Sequence, residues 1–141
     1  MVADGFGRPN GLAFSPDGRT AYIGDTGANI GNATLDTQGP RTIYAYDRCG
    51  KFLANRHVFA MPKCAYCAPD GIRTDSAGNV WAAVNGFGVT VWDKEGTVLG
   101  GFELVPDAGN LGFGEPGEVF VLCGKKVFKL VLSKKVLGVQ P

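Results

Sequence analysis

The 141 residues of this chain are enough for one domain with a single core. Glycine is abundant, charged residues make up only 19% of the chain and the formal net charge is +1. This balance argues against a nucleic-acid or membrane partner, and no run of apolar residues is long enough to span a bilayer. The composition favours short strands joined by tight turns, and no stretch shows the sustained period of a capped helix.

The first part of the chain predicts a four-stranded antiparallel meander. Each of its expected strands is short, apolar or alternating in polarity, and bounded by turn residues. These strands lie at 12–15, 20–25, 41–47 and 52–60. We expect a long polar loop at 26–40, because this segment is rich in Gly and Asn.

The rest of the chain predicts two further meanders of the same kind. The second has expected strands at 72–74, 80–84, 89–93 and 97–104. The third has strands at 111–113, 119–123 and 127–132, with a weaker one at 136–139. Turns that contain glycine separate the strands in both units, as in the first.

A short motif opens the first two units and marks an internal repeat. Pro9-Asn10-Gly11-Leu12 and Pro69-Asp70-Gly71-Ile72 each combine proline, an oxygen-bearing side chain, glycine and an apolar residue. Asn10 to Asp70 spans about 60 residues and Asp70 to Asn110 about 40, near the ~40–50 of propeller blades. The repeat predicts an all-β fold, a partial β-propeller in one domain over 1–141. Its four-stranded blades would lie at about 10–60, 70–104 and 110–140.

The strand spacing alone also fits a β-sandwich, but the recurring turn chemistry favours the propeller. Closed propellers have roughly 4–8 blades, so three blades would leave an apolar blade face open at each end. We therefore expect either further blades or self-association through these open faces.

Asn10 and Asp70 are the candidate functional residues, because inner strands of a propeller converge on its central channel. An amide oxygen and a carboxylate suit a hard cation such as Ca²⁺ or Mg²⁺. The alternative is that both are turn formers, since Asn and Asp before Gly are common in loops. Two ligands are also fewer than the roughly 6–8 oxygens that Ca²⁺ takes.

The remaining reactive residues are better explained by structure. Cys64-Ala65-Tyr66-Cys67 lacks the second pair of ligands that a zinc site needs and no helix pattern follows it, so we expect two loop thiols or a small local disulfide. His57, in an outer strand, is expected to be structural. We expect the lysines near the C-terminus to occupy solvent-facing positions of strands. The cysteines do not indicate a cellular compartment.

The motifs together resemble the senescence-marker-protein/gluconolactonase family, which includes regucalcin and bacterial and fungal lactonases. The resemblance rests on the Pro-Asn-Gly and Pro-Asp-Gly motifs in order, and on three segments downstream of them. These segments are Gly78-Asn79-Val80-Trp81-Ala82, Gly88-Val89-Thr90-Val91-Trp92 and Asn110-Leu111-Gly112-Phe113-Gly114. It covers nearly the whole chain, but only about the C-terminal half of the family's six-bladed propeller.

The resemblance implies a hydrolase of lactones or related esters that works at one divalent metal, Ca²⁺ or Zn²⁺. It implies Asn10 and Asp70 as metal ligands and Asp70 as the general base. The family's ligand Glu and its substrate-contacting residues belong to earlier blades, whereas this sequence enters its first motif almost at once. Glu103, Glu115 and Glu118 lie in outer strands or turns and are not expected to replace that Glu.

Two functions therefore stay open. One is a lactonase-like hydrolase with a small-molecule lactone or ester as its partner, in which this chain alone has little activity. The other is a non-catalytic propeller module that binds a partner. The substrate-binding residues are unknown in either case.

Overall fold

The computed structural model describes residues 1–31, 34–36, 38–105 and 107–138. Within these ranges the chain forms thirteen strands, and no helix there is long and apolar enough to cross a membrane. The strands are β1 Pro9–Phe14, β2 Thr20–Asp25, β3 Asn29–Gly31, β4 Thr34–Leu35, β5 Thr42–Cys49, β6 Phe52–Ala60, β7 Ala68–Thr74, β8 Val80–Asn85, β9 Gly88–Trp92, β10 Val98–Glu103, β11 Ala108–Phe113, β12 Glu118–Cys123 and β13 Lys126–Val131.

Eleven of the strands form three successive antiparallel sheets, as the repeat predicts, and β3 and β4 pair separately. The first sheet has the order β1-β2-β5-β6, the second β7-β8-β9-β10 and the third β11-β12-β13. Each sheet stacks on the next one along the chain, with β7 of the second sheet contacting β1, β2 and β11. This arrangement confirms the all-β, propeller-type fold and departs from the two facing sheets of a sandwich.

Two of the sequence-based expectations about strands are wrong. The segment predicted as a long loop at 26–40 contains a separate small hairpin, β3 paired with β4. The weak strand expected at 136–139 does not form over the described residues 136–138. There the Val136 amide bonds to Ser133, so the chain turns back, and Gly138 makes only an isolated bridge to Asp75. Val139 lies outside the described residues.

The core lies in two layers, one on each face of the second sheet. Successive side chains of a strand point to opposite faces. In β8, Val80, Ala82 and Val84 therefore pack against the first sheet, while Trp81 and Ala83 pack against the third. All five are nearly inaccessible to solvent, which explains why β8 reads as a continuous apolar run.

Two buried aspartates stabilise the segments next to the inner strands through hydrogen bonds. Asp25 is 1% exposed and accepts hydrogen bonds from the backbone amides of Gly7, Arg8 and Gly27. This holds the segment that leads into β1. Asp75 is 3% exposed, accepts two backbone amides of its own turn, and also accepts the indole N–H of Trp81 at 2.9 Å. Asp25 accepts three hydrogen bonds and Asp75 four, so we interpret both carboxylates as structural.

The cysteine pair and the histidine fall outside the inner strands. Cys64 and Cys67 form a disulfide in the connector before β7, which decides between the two alternatives left open by the sequence. His57 is exposed on β6, the outermost strand of the first sheet, and its Nδ1 lies 3.0 Å from the carbonyl of Asn55.

Candidate active site

The inner strand of every sheet carries an irregularity at the repeated motif. Relative to its neighbour, β1 has one extra residue between Pro9 and Leu12, and β7 has one between Pro69 and Ile72. In β11 the extra residue is Gly109. A bulge bends its strand locally and redirects the side chain at that point. The three bulges therefore distinguish the motif positions from the regular ladder beyond them.

The bulges also change which residue of the third unit is equivalent to Asn10 and Asp70. The inner strands end in pairing at Phe14, Thr74 and Phe113. Counting back equally from these ends aligns Asn10 and Asp70 with Gly109, not with Asn110. The third sheet therefore offers no side-chain oxygen at this position. The repeat spacing from Asp70 should be counted to Gly109, one residue before Asn110.

Two glycines allow the inner strands to touch. A Cβ placed on Gly11 would overlap the carbonyl oxygen of Asp70 and lie 2.8 Å from the amide nitrogen of Ile72. A Cβ on Gly71 would overlap the side chain of Asn110 and lie 2.9 Å from its Cα. The motif glycines are thus required for close approach of backbone to backbone, and this approach sets β1, β7 and β11 side by side.

The close approach brings the side chains of Asn10 and Asp70 together. Asp70 is half-buried, and its Oδ2 accepts a hydrogen bond from Asn85 Nδ2 at 3.1 Å. The side-chain amide of Asn10 lies close enough to this carboxylate to favour its charged form. Burial raises the pKa of Asp70, and the amides of Asn85 and Asn10 oppose that rise. Such a partly desolvated carboxylate is stabilised by a nearby positive charge.

The oxygen atoms of Asn10 and Asp70 suit a hard cation. Asn10 and Asp70 present amide and carboxylate oxygens, the ligand type that Ca²⁺ and Mg²⁺ prefer. An amide can donate through its nitrogen to Asp70 while its oxygen remains available to a cation. In the described part of the chain no group of three or more His, Cys, Asp or Glu side chains is arranged to hold a metal. The residues present therefore fit part of a cation site.

Asn85 is the member of this site that sequence reasoning missed. It ends β8 and precedes Gly86 in the turn to β9, and Asn-Gly before a strand is the ordinary signature of a hairpin turn. Its side chain contacts Asp70 at the bulge in β7, whose position the sequence pattern does not reveal.

A groove opens beside Asn10 on the free face of the first sheet. Its volume is about 710 Å³ and it is lined mainly by apolar residues, among them Pro9, Leu12 and Phe14. Leu12 is 51% exposed and Phe14 41%. The free face of the third sheet likewise exposes Leu122 and Val131. Both outer sheets thus have an uncovered apolar face, as expected from an open stack of sheets.

The fold and the motif pair agree with a known family. Residues 1–118 match the family described as the SMP-30/Gluconolactonase/LRE-like region. The chain belongs to this family. The match confirms the family resemblance stated from the two Pro-Asn/Asp-Gly motifs, and it includes Asn10, Asp70 and Asn85.

Individual relatives support the same assignment. The chain is 40% identical over 115 residues to the lactonohydrolase oryL of Aspergillus oryzae, an alignment that covers 70% of this chain and 25% of that protein. A solved gluconolactonase of Xanthomonas campestris superposes with a TM-score of 0.78 at 31% identity, over 94% of this chain and 40% of the other. The chain thus spans well under half the length of these two proteins.

A third protein shares the fold at lower identity. Regucalcin from Agrobacterium tumefaciens, described as a calcium-binding protein, superposes with a TM-score of 0.72 at 21% identity. The alignment covers 94% of this chain and 48% of that one. At this identity the likeness establishes the fold alone.

Proposed function

We propose that this chain supplies two ligands, Asn10 and Asp70, to the cation site of a lactonase-type hydrolase. The observation that carries the proposal is the close approach of β1 and β7 at their bulges, which places Asn10 beside Asp70. The chain belongs to a family with lactonohydrolase and gluconolactonase relatives, and this supports a hydrolytic role for the two side chains. The substrate class would be a small cyclic ester.

Asp70 is the general base of this proposal. Its carboxylate would take a proton from water while the water oxygen forms a bond to the ester carbonyl carbon. When the ring C–O bond breaks, the same proton would pass to the leaving alkoxide oxygen. In the absence of a cation, burial raises the pKa of Asp70 above that of an exposed aspartate, and a bound cation would lower this pKa. A bound divalent cation would supply polarisation of the carbonyl.

The donor set favours Ca²⁺ over Zn²⁺ as that cation. Zinc in proteins is held mainly by nitrogen and sulfur ligands, whereas calcium takes oxygens. Asn10 and Asp70 offer oxygen only, and His57 lies on the outermost strand of its sheet. Two side-chain ligands are too few for tight binding, so we propose that residues 1–141 alone bind Ca²⁺ weakly and hydrolyse lactones poorly.

The second candidate is a non-catalytic propeller module, and one observation favours it. The free faces of the first and third sheets expose apolar side chains that a binding partner could cover. The two candidates differ in their use of Asp70, since a module that binds through its sheet faces does not need this carboxylate.

Hydrolysis of a simple γ-lactone tests the proposal when it is followed with Ca²⁺, with Zn²⁺ and with a chelator. We expect a rate near that of the uncatalysed reaction for residues 1–141 in all three conditions. A clear Ca²⁺-dependent rate lost in Asp70→Ala would support Asp70 as the base and refute the proposed weakness of the isolated chain. The exposed carboxylate variant Glu95→Gln is the matched control for loss of one charge.

A further inference from the structure

We propose that Asn85 is the positioning residue of Asp70: its side-chain amide fixes one carboxylate oxygen and so sets the orientation of the whole group. This inference rests on the proposed function in one respect only, namely that Asp70 is the working carboxylate. Nothing in the family motifs assigns a role to Asn85, because it lies on the second strand of the sheet and not on the inner strand.

The contact between the two residues lies at the bulge of β7. Asn85 pairs with Ala68 and Val84 pairs with Pro69, so a regular ladder would place Asp70 opposite the next residue of β8, diagonal to Asn85 and on the same face of the sheet. The extra residue between Pro69 and Ile72 redirects the Asp70 side chain. Its Oδ2 then lies 3.1 Å from Asn85 Nδ2, in a partly buried position where a hydrogen bond to a charged acceptor is strong.

The turn that carries Asn85 is itself held on two sides. The amide of Gly86 donates to Asp107 Oδ1 at 2.9 Å, just before β11. A Cβ on Gly86 would lie 3.3 Å from Cys67 Sγ, so the turn also packs against the disulfide that precedes β7. Phe87 accepts a further backbone bond from Leu104. Asn85 therefore projects from a fixed turn, which is what a positioning residue requires.

The donors to Asp70 differ from those of the structural aspartates. Asp25 accepts three backbone amides, and Asp75 accepts two backbone amides together with the side chains of Asn79 and Trp81. The Asp70 carboxylate instead accepts from the side-chain amide of Asn85, and the side-chain amide of Asn10 lies near it. Its oxygens thus keep acceptor capacity, and orientation depends on Asn85 instead of on the backbone.

The test measures the χ1 angle of Asp70 directly, from three-bond couplings to its carboxylate carbon in labelled protein. We expect one rotamer in the parent chain and averaging over rotamers in Asn85→Leu, which has similar size but no donor. Asn85→Gln keeps the amide and should restore part of the preference. Asn79→Ala removes an amide bond to Asp75 and should leave Asp70 unchanged. A single Asp70 rotamer in a folded Asn85→Leu protein overturns the proposal.

Calcium titration of the same variants separates this inference from the proposed function. We expect Asn85→Leu to bind Ca²⁺ about tenfold more weakly than the parent, the usual effect of losing a group that orients a ligand. Averaged rotamers with no Ca²⁺ binding in any protein would uphold the positioning role and refute the cation site. Weaker binding with an unchanged rotamer would refute the positioning role. If Asn85→Leu fails to fold, Asn85→Ala replaces it in both measurements.

Discussion

Replacement of Gly11 by alanine tests the contact between the inner strands. The new Cβ would overlap the carbonyl oxygen of Asp70 and lie 2.8 Å from the amide nitrogen of Ile72. Both obstacles are backbone atoms, which cannot rotate away as a flexible side chain can. Overpacking of this kind typically costs about 1–3 kcal/mol, and we expect the upper part of that range, ~3 kcal/mol.

The matched control is Gly112→Ala on β11, the inner strand of the third sheet. No atom lies within 4 Å of a Cβ placed on Gly112, so no clash opposes the substitution. We expect this variant to be neutral or more stable by about 0.4–1 kcal/mol, because alanine restricts the unfolded chain. Urea unfolding followed by far-UV circular dichroism measures the free energy of unfolding of both variants.

Displacement of β1 has a second, local consequence. Because Gly11 follows Asn10 directly, separating β1 from β7 should also weaken the contact of Asn10 with Asp70. If Gly11→Ala and Gly112→Ala have free energies of unfolding within about 0.5 kcal/mol of each other, the proposed tight contact of the strands is wrong.

Three further predictions concern charge, a buried bond and the open faces. Because the pKa of Asp70 is raised in the folded chain, stability should fall as pH rises above the ordinary aspartate value. With chelator present, Asp70→Asn should therefore exceed the parent in stability at pH 7 and match it at low pH, as measured by urea midpoints. Asp75→Asn should cost about 1–3 kcal/mol in chemical unfolding, because it places an amide where Trp81 and Asn79 donate. Light scattering after size exclusion should show self-association through the apolar faces that include Leu12 and Leu122. A stable monomer with a native β circular dichroism spectrum would exclude this self-association.

The strands were largely predictable because each is bounded by turn residues and has a distinct apolar pattern. The order of the sheets followed from the repeat, and the motif pair led to Asn10 and Asp70. The hairpin of β3 and β4 was missed, since its strands are only three and two residues long and lie in a segment rich in Gly and Asn. The final strand was wrongly predicted because Val136 and Leu137 are β-prone. In the structure the Val136 amide donates to the carbonyl of Ser133 and its carbonyl accepts from the amide of Gly117, so the chain turns there.

The site was less predictable than the fold, for reasons of register. A bulge shifts alternation by one residue, and the sequence pattern does not show whether a glycine marks a bulge, a turn or a close contact. This is why Asn110 seemed equivalent to Asp70, whereas the structure aligns Gly109 with it. Asn85 was missed because its Asn-Gly pair indicates only a turn, and the sequence does not show that its side chain reaches Asp70.

Binding of Ca²⁺ to the isolated chain tests the central claim most directly. In an ¹⁵N–¹H correlation titration, we expect weak, saturable shifts that concentrate on the amides of residues 10–11, 70–71 and 109–110. Asp70→Asn should abolish them, whereas Glu95→Gln should not. Shifts confined to other acidic residues, or equal shifts in Asp70→Asn, would contradict a cation site built on Asn10 and Asp70.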